Sequence, residues 1–83
     1  MEEKVGEVFK DFKKPSVAAI KIDSGEVEIG DILHFKGEHT DFEQKIASMQ
    51  IEQDSVEMVS PGDDVGIKVK ERVRPNDEVY KIK

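Results

Sequence analysis

The stretch VSPGDDVGIKV, residues 59–69, decides the fold. It opens on a turn and then alternates, with Val65, Ile67 and Val69 on one parity and Gly66 and Lys68 on the other. Successive side chains of a β-strand point to opposite faces, so a period of two marks a strand with one buried face. Pro61 presets the turn's backbone, and Gly62 before Asp63 supplies a residue that tolerates positive φ. The alternation continues through Lys70, Arg72, Val73 and Arg74 until PND breaks it, and EVYKI closes the chain.

The same period runs outward to the N-terminus. VGEVFKDF (5–12) reads as a first strand and SVAAIKI (16–22) as a second, with Ala18, Ile20 and Ile22 on one face. DSG then turns the chain as a tight hairpin with Gly25 at positive φ. Val27 and Ile29, a Gly30-Asp31 turn, and Leu33 with Phe35 follow, then a polar loop, KGEHTD. In FEQKIASMQIEQ, Phe42, Ile46 and Met49 also fit helical spacing, but Ala47, Met49 and Ile51 alternate, and a longer strand is the better reading. These signals predict an all-β fold, a small closed antiparallel β-barrel of about six or seven strands, since closure removes exposed strand edges. One domain spans residues 1–83, with residues 1–4 as a flexible tail.

The 83 residues carry a net charge of −6 and no cysteine. That composition favours a reducing compartment, excludes thiolate chemistry and argues against a general nucleic-acid binder, so no DNA is expected. There is no run of about 20 apolar residues and no leader pattern after Met1, so a cytoplasmic protein without a membrane span is expected. Charge is uneven. Residues 22–67 hold two lysines against twelve acids, and the flanks hold eleven basic residues against seven acids.

Taken together, SGEVEIGDIL, IASMQIEQDSVEMVSPGDDVGIKV and RPNDEVYKI resemble the β-barrel second domain of translational GTPases, elongation factor Tu-like proteins among them, over residues 5–82. Gly30-Asp31, Ser48-Met49-Gln50 and the run from Pro61 to Gly66 carry the resemblance. It departs in having no glycine between Gly6 and Gly25 and no P-loop, so no GTP is expected to bind. The resemblance implies a pocket that holds the aminoacyl end of tRNA. Glu7 and Phe9 stand at its first-strand part and Asp64 where such factors often carry asparagine. An arginine near Gln53 is missing, and Ala19 replaces a threonine. An aspartate repels phosphate where an amide donates to it. The alternative is that Phe9 is core and Glu7 a solvated strand residue.

From the residues themselves, Lys68, Lys70, Arg72 and Arg74 share one parity and form a basic ladder along a continuous strand. With Lys10, Lys13 and Lys14 near the first turn they make a candidate RNA or partner contact. The alternative is a solvated face that protects an edge strand. Gly66, inside a strand, marks a bulge or a close backbone approach. His34 and His39, with Glu38 and Asp41, match no metal-ligand spacing, and no histidine has an obvious nucleophile partner. No cofactor, metal or catalytic residue is expected. The function this implies is a non-catalytic, translation-factor-like module docking to protein or RNA of the translation machinery. The alternative is a protein–protein adaptor outside translation, since the same barrel type is also appended to other proteins, including certain peptidases.

Overall fold

The computed structural model describes residues 2–13 and 16–82. Among these, ten strands form: β1 (Glu2–Lys13), β2 (Ser16–Ile22), β3 (Val27–Glu28), β4 (Ile32–Lys36), β5 (Asp41–Lys45), β6 (Met49–Ile51), β7 (Asp54–Val56), β8 (Met58–Val59), β9 (Asp64–Lys68) and β10 (Glu78–Ile82). All pairings are antiparallel. Eight strands join in the order β5-β4-β10-β1-β2-β9-β6-β7, and β3 pairs with β8 separately. One apolar cluster lies inside, with Phe35 stacked on Phe42 at 5.0 Å between ring centroids. No helix among the described residues is long and apolar enough to cross a membrane.

The expected closed barrel is not what the ladders build. The sheet is open, and β5 and β7 are its ends. A side chain stands in for backbone pairing at the β5 end. Gln44 Nε2 donates to the carbonyl of Lys68 at 2.7 Å, and the N–H of Lys70 donates to Gln44 Oε1 at 2.8 Å. A primary amide offers both a donor and an acceptor, so it satisfies two backbone groups that a neighbouring strand otherwise serves.

Three turns among the described residues share one geometry: residues 28–31, 60–63 and 74–77. The third residue has positive φ: Gly30 at 100°, Gly62 at 97° and Asn76 at 78°. The carboxylate of the fourth accepts the N–H of the first: Asp31 from Glu28 at 2.8 Å, Asp63 from Ser60 at 2.9 Å and Asp77 from Arg74 at 2.8 Å. Each aspartate also donates its N–H to the first residue's carbonyl at 3.1 Å. Glycine or asparagine at the left-handed position, with proline before it in the second and third turns and Ile29 in the first, is the chemistry of a type II turn.

Several strand expectations change. Residues 2–4 are not a tail: Glu2, Glu3 and Lys4 pair with Ile82, Lys81 and Tyr80. β1 is bulged twice, between Lys4 and Gly6 against β10 and between Val8 and Lys10 against β2. The extra residues break the period of two. Val5 and Val8 are both buried, whereas Phe9 and Phe12 remain 51% and 46% exposed, so Phe9 is not core. Gly25 has the expected positive φ of 70°, but β2 does not fold back as a hairpin on β3, because its neighbours are β1 and β9. The long strand around Met49 is broken at residues 46–48. There Ile46 exchanges backbone bonds with the 28–31 turn, from Gly30 N–H at 2.9 Å and to the Asp31 carbonyl at 2.8 Å.

Candidate functional site

The outer face of the β1-β2-β9-β6 sheet carries the site. Lys10, Ala19, Gly66 and Gln50 stand in one cross-strand row. Glu7, Lys21 and Asp64 form the row on one side, and Phe12, Val17 and Lys68 the row on the other. Ala19 and Gly66 face each other in the ladder and contribute almost no side chain, so the middle row sinks. The result is a groove of about 410 Å³ with Ala19 and Gly66 in its floor. Phe9 and Phe12 wall one side, Gln50 with the turn residues Glu52 and Gln53 walls the other, and Asp64 lines it as well.

Local sequence explains each wall. The bulge at Phe9 turns its ring outward onto this face. Glu52 and Gln53 have φ of 50° and 70°, the two positive values of a two-residue hairpin turn between β6 and β7, without the glycine or asparagine that such a turn prefers. Gly66 lies in regular pairing, so it marks no bulge. A Cβ built on it lies 3.5 Å from Val17 Cγ1 and 3.8 Å from the Gln50 carbonyl oxygen, which is ordinary contact and no forced approach. Neither backbone angle nor packing demands glycine at 66. What its missing side chain provides is room in the groove.

The structure thus brings together Phe9 and Asp64 of the sequence-derived pocket, along with Ala19 and Gln53, but not Glu7. Glu7 sits in the Asp64 row two strands away, where Lys4 Nζ lies 3.4 Å from it and 3.1 Å from Glu78. The bond to Glu78 is the main cause that raises the Lys4 pKa, and the same bond lowers that of Glu78.

The basic ladder does not form. β9 ends at Lys68, and beyond it the chain is irregular, anchored by Val69 and Val73 in the core and by the Val69 N–H to the Ser16 carbonyl at 3.0 Å. Lys70, Arg72 and Arg74 are exposed but share no strand face. Lys68 and Lys70 border one shallow cavity beside Gln44. Lys13 and Arg72 border another, where Arg72 Nε lies 3.9 Å from Asp11. Lys10 lies over the Phe12 ring, 5.0 Å from its centroid. Lys14 lies outside the described residues.

His34 has a different setting from the one its spacing suggested. Its Nδ1 lies 2.6 Å from Glu2 and its Nε2 2.5 Å from Asp41. The bond to Asp41 is the largest cause of a raised pKa, with Glu2 adding to it and burial opposing. Glu43 stands opposite in the β4–β5 ladder and, with Glu2 and His34, forms a group of metal-capable atoms. Only the protonated imidazole donates to both carboxylates at once, and in that form it offers no lone pair to a metal. Glu38 and His39 stay exposed in the neighbouring loop.

No family model matches the chain. It is 38% identical over 79 residues to a Porphyromonas gingivalis protein named collagenase, covering 94% of this chain and 22% of that protein. An uncharacterized protease of Methanocaldococcus jannaschii is 38% identical over 80 residues, covering 95% of this chain and 19% of that one. The chain therefore spans about a fifth of the length of these relatives. Among solved structures, the C-terminal domain of a Geobacillus thermoleovorans protein described as a U32 peptidase superposes with a TM-score of 0.89 at 23% identity, over 98% of this chain and 93% of that one. Its selenomethionine variant gives 0.86 at 24%, over 93% and 96%. At that identity the likeness is one of fold.

These relatives overturn the translation-factor resemblance, and with it the translation-factor-like module; an unrelated adaptor fits them no better. The physical reason is visible in the turns. Gly30-Asp31 and Pro61-Gly62-Asp63 are turn chemistry, repeated a third time at Pro75-Asn76-Asp77. Such residues report a backbone geometry and say nothing of the ligand.

Proposed function

We propose that this chain is an accessory β-domain of the kind carried at the C-terminus of U32-type peptidases, and that it recognises polypeptide and leaves bond cleavage to residues outside it. The observation that supports this most is the pattern of coverage. Nearly the whole chain aligns with relatives named collagenase or protease, yet it fills only 22% and 19% of them. The chemistry agrees. His34 has both nitrogens committed to carboxylates. Ser24 Oγ donates to the Lys4 carbonyl at 2.8 Å, and the Asp63 carboxylate 3.5 Å from Ser60 Oγ also accepts the Ser60 N–H that closes the turn, so no histidine–serine pair forms at either.

The test has two arms. Incubated with gelatin, the 83-residue chain releases no new amino groups above the blank; turnover that survives purification refutes the reading. In the P. gingivalis relative, deletion of the matching segment slows cleavage of full-length gelatin and spares cleavage of a short synthetic peptide. Equal loss on both substrates, from a variant that remains folded, also refutes it.

A further inference from the structure

We infer that the groove over Ala19 and Gly66 is a subsite for a lysine or arginine side chain of an extended polypeptide. This rests on the accessory-domain reading and names what that domain recognises.

The groove's chemistry is one-sided. Among the described residues its lining contains two carboxylates, Glu52 and Asp64, and the neighbouring cation, Lys10, is held on the outer ring, Phe12, and is not among the lining residues. Neither carboxylate has a hydrogen-bond or ion-pair partner among the described residues. Lys21 stands directly opposite Asp64 in the ladder without reaching it as an ion pair. The floor and near wall are apolar: Ala19, Val17 and the rings of Phe9 and Phe12. An aliphatic stem fits such a floor, and a cationic head fits an aromatic face with a carboxylate beyond it. The domain already demonstrates the pairing, since Lys10 occupies the Phe12 ring, and Phe9 is left for an incoming cation.

Anionic occupants meet the opposite situation. A phosphate entering this groove faces the two carboxylates, Glu52 and Asp64. Charge complementarity therefore selects a basic peptide over a nucleic acid, although exposed aromatic rings suit either. The absent side chain at position 66 is the second pillar. An alanine there meets no obstacle, so the empty volume is not an accident of close packing.

The test uses the isolated chain with a labelled, unstructured Lys-Ala peptide, a matched Glu-Ala peptide and a single-stranded oligonucleotide, read by anisotropy and by amide shifts in NMR. Expected is saturable binding of the lysine peptide, with shifts at Ala19, Gly66 and Gln50. Glu52→Gln with Asp64→Asn weakens it about tenfold, since each solvent-accessible contact is small. Gly66→Val, a substitution that suits a strand and leaves the circular dichroism spectrum unchanged, abolishes it by filling the floor. Undiminished binding in both variants overturns the inference. So does tighter binding of the acidic peptide or of the oligonucleotide at the same residues. If no peptide binds, the subsite is refuted while the accessory reading stands, because the gelatin assay tests that reading separately.

Discussion

Replacing Gln44 by methionine, nearly its equal in shape, tests how the open sheet is held. The change removes two neutral hydrogen bonds, to the Lys68 carbonyl and from the Lys70 N–H. Each such bond is worth about 0.5–1.5 kcal/mol net, and Gln44 is half-buried, so water recovers part of the loss. A total of about 1–2 kcal/mol follows, which for a domain of this size lowers Tm by roughly 5–15 °C. Thermal unfolding by circular dichroism measures it, and hydrogen exchange of the Lys70 amide localises it. Gln44→Glu adds a second readout. Its carboxylate still accepts from Lys70 but confronts the Lys68 oxygen, whereas the protonated acid donates to that oxygen. The folded state thus raises the pKa of the introduced acid. Its stabilising contribution is present below the unfolded value and disappears as pH rises through the folded one. The glutamate variant should therefore recover relative to the parent between pH 7 and pH 4. A Tm of Gln44→Met within about 1 °C of the parent, with unchanged Lys70 exchange, refutes the claim that this amide holds the β5 end.

His34 gives a pH dependence of fixed sign. Because Asp41 and Glu2 raise its pKa above 6.5, its contribution is complete below 6.5 and is lost as pH climbs through the raised value. Titration of stability from pH 6 to 9 should slope downward by about 1 kcal/mol or less, the carboxylates being exposed, and His34→Gln should remove that slope. Gly6→Ala and Gly66→Ala should differ sharply in chemical denaturation. A Cβ at 6 collides with the Lys21 carbonyl oxygen and lies 3.2 Å from Ile22 Cα, costing about 2–3 kcal/mol, whereas one at 66 meets nothing closer than 3.5 Å and should be neutral within about 0.5 kcal/mol. Thr40→Val should raise Tm, because the buried Thr40 Oγ1 has no hydrogen-bond partner among the described residues and removing a polar atom left unsatisfied gains about 1 kcal/mol.

Most of the β content is legible in the sequence where local chemistry dictates it. Val65 and Ile67 alternate as read, and Gly30 and Gly62 take positive φ with Asp31 and Asp63 bridging their turns. What alternation hides is a shift of one residue. The bulges in β1 are invisible because Val5, Val8, Phe9 and Phe12 fit a bulged strand only after its two partners are known. The β6–β7 hairpin escapes because Glu52 and Gln53 lack the usual turn residues. The basic ladder fails for a related reason: parity continues past Lys68 while pairing does not. Part of the groove is legible, since Phe9, Ala19, Gln53 and Asp64 stand at or beside the positions of the pocket that the resemblance implies. The Gly66 part of its floor is not, because a glycine that makes room looks the same in sequence as one that makes a bulge.

The pairing of β1 with β10 sets how the domain answers to force. Glu2 lies opposite Ile82 and Glu7 opposite Glu78, so both ends of the fold emerge from the same end of one antiparallel ladder. Tension applied through the two ends loads that ladder one rung at a time, the zipper geometry, and never all rungs together in shear. Tethered at both ends and stretched, such a unit peels open from its termini inward, and the groove loses its Phe9 and Phe12 wall as β1 leaves β2, before the β2–β9 ladder is reached.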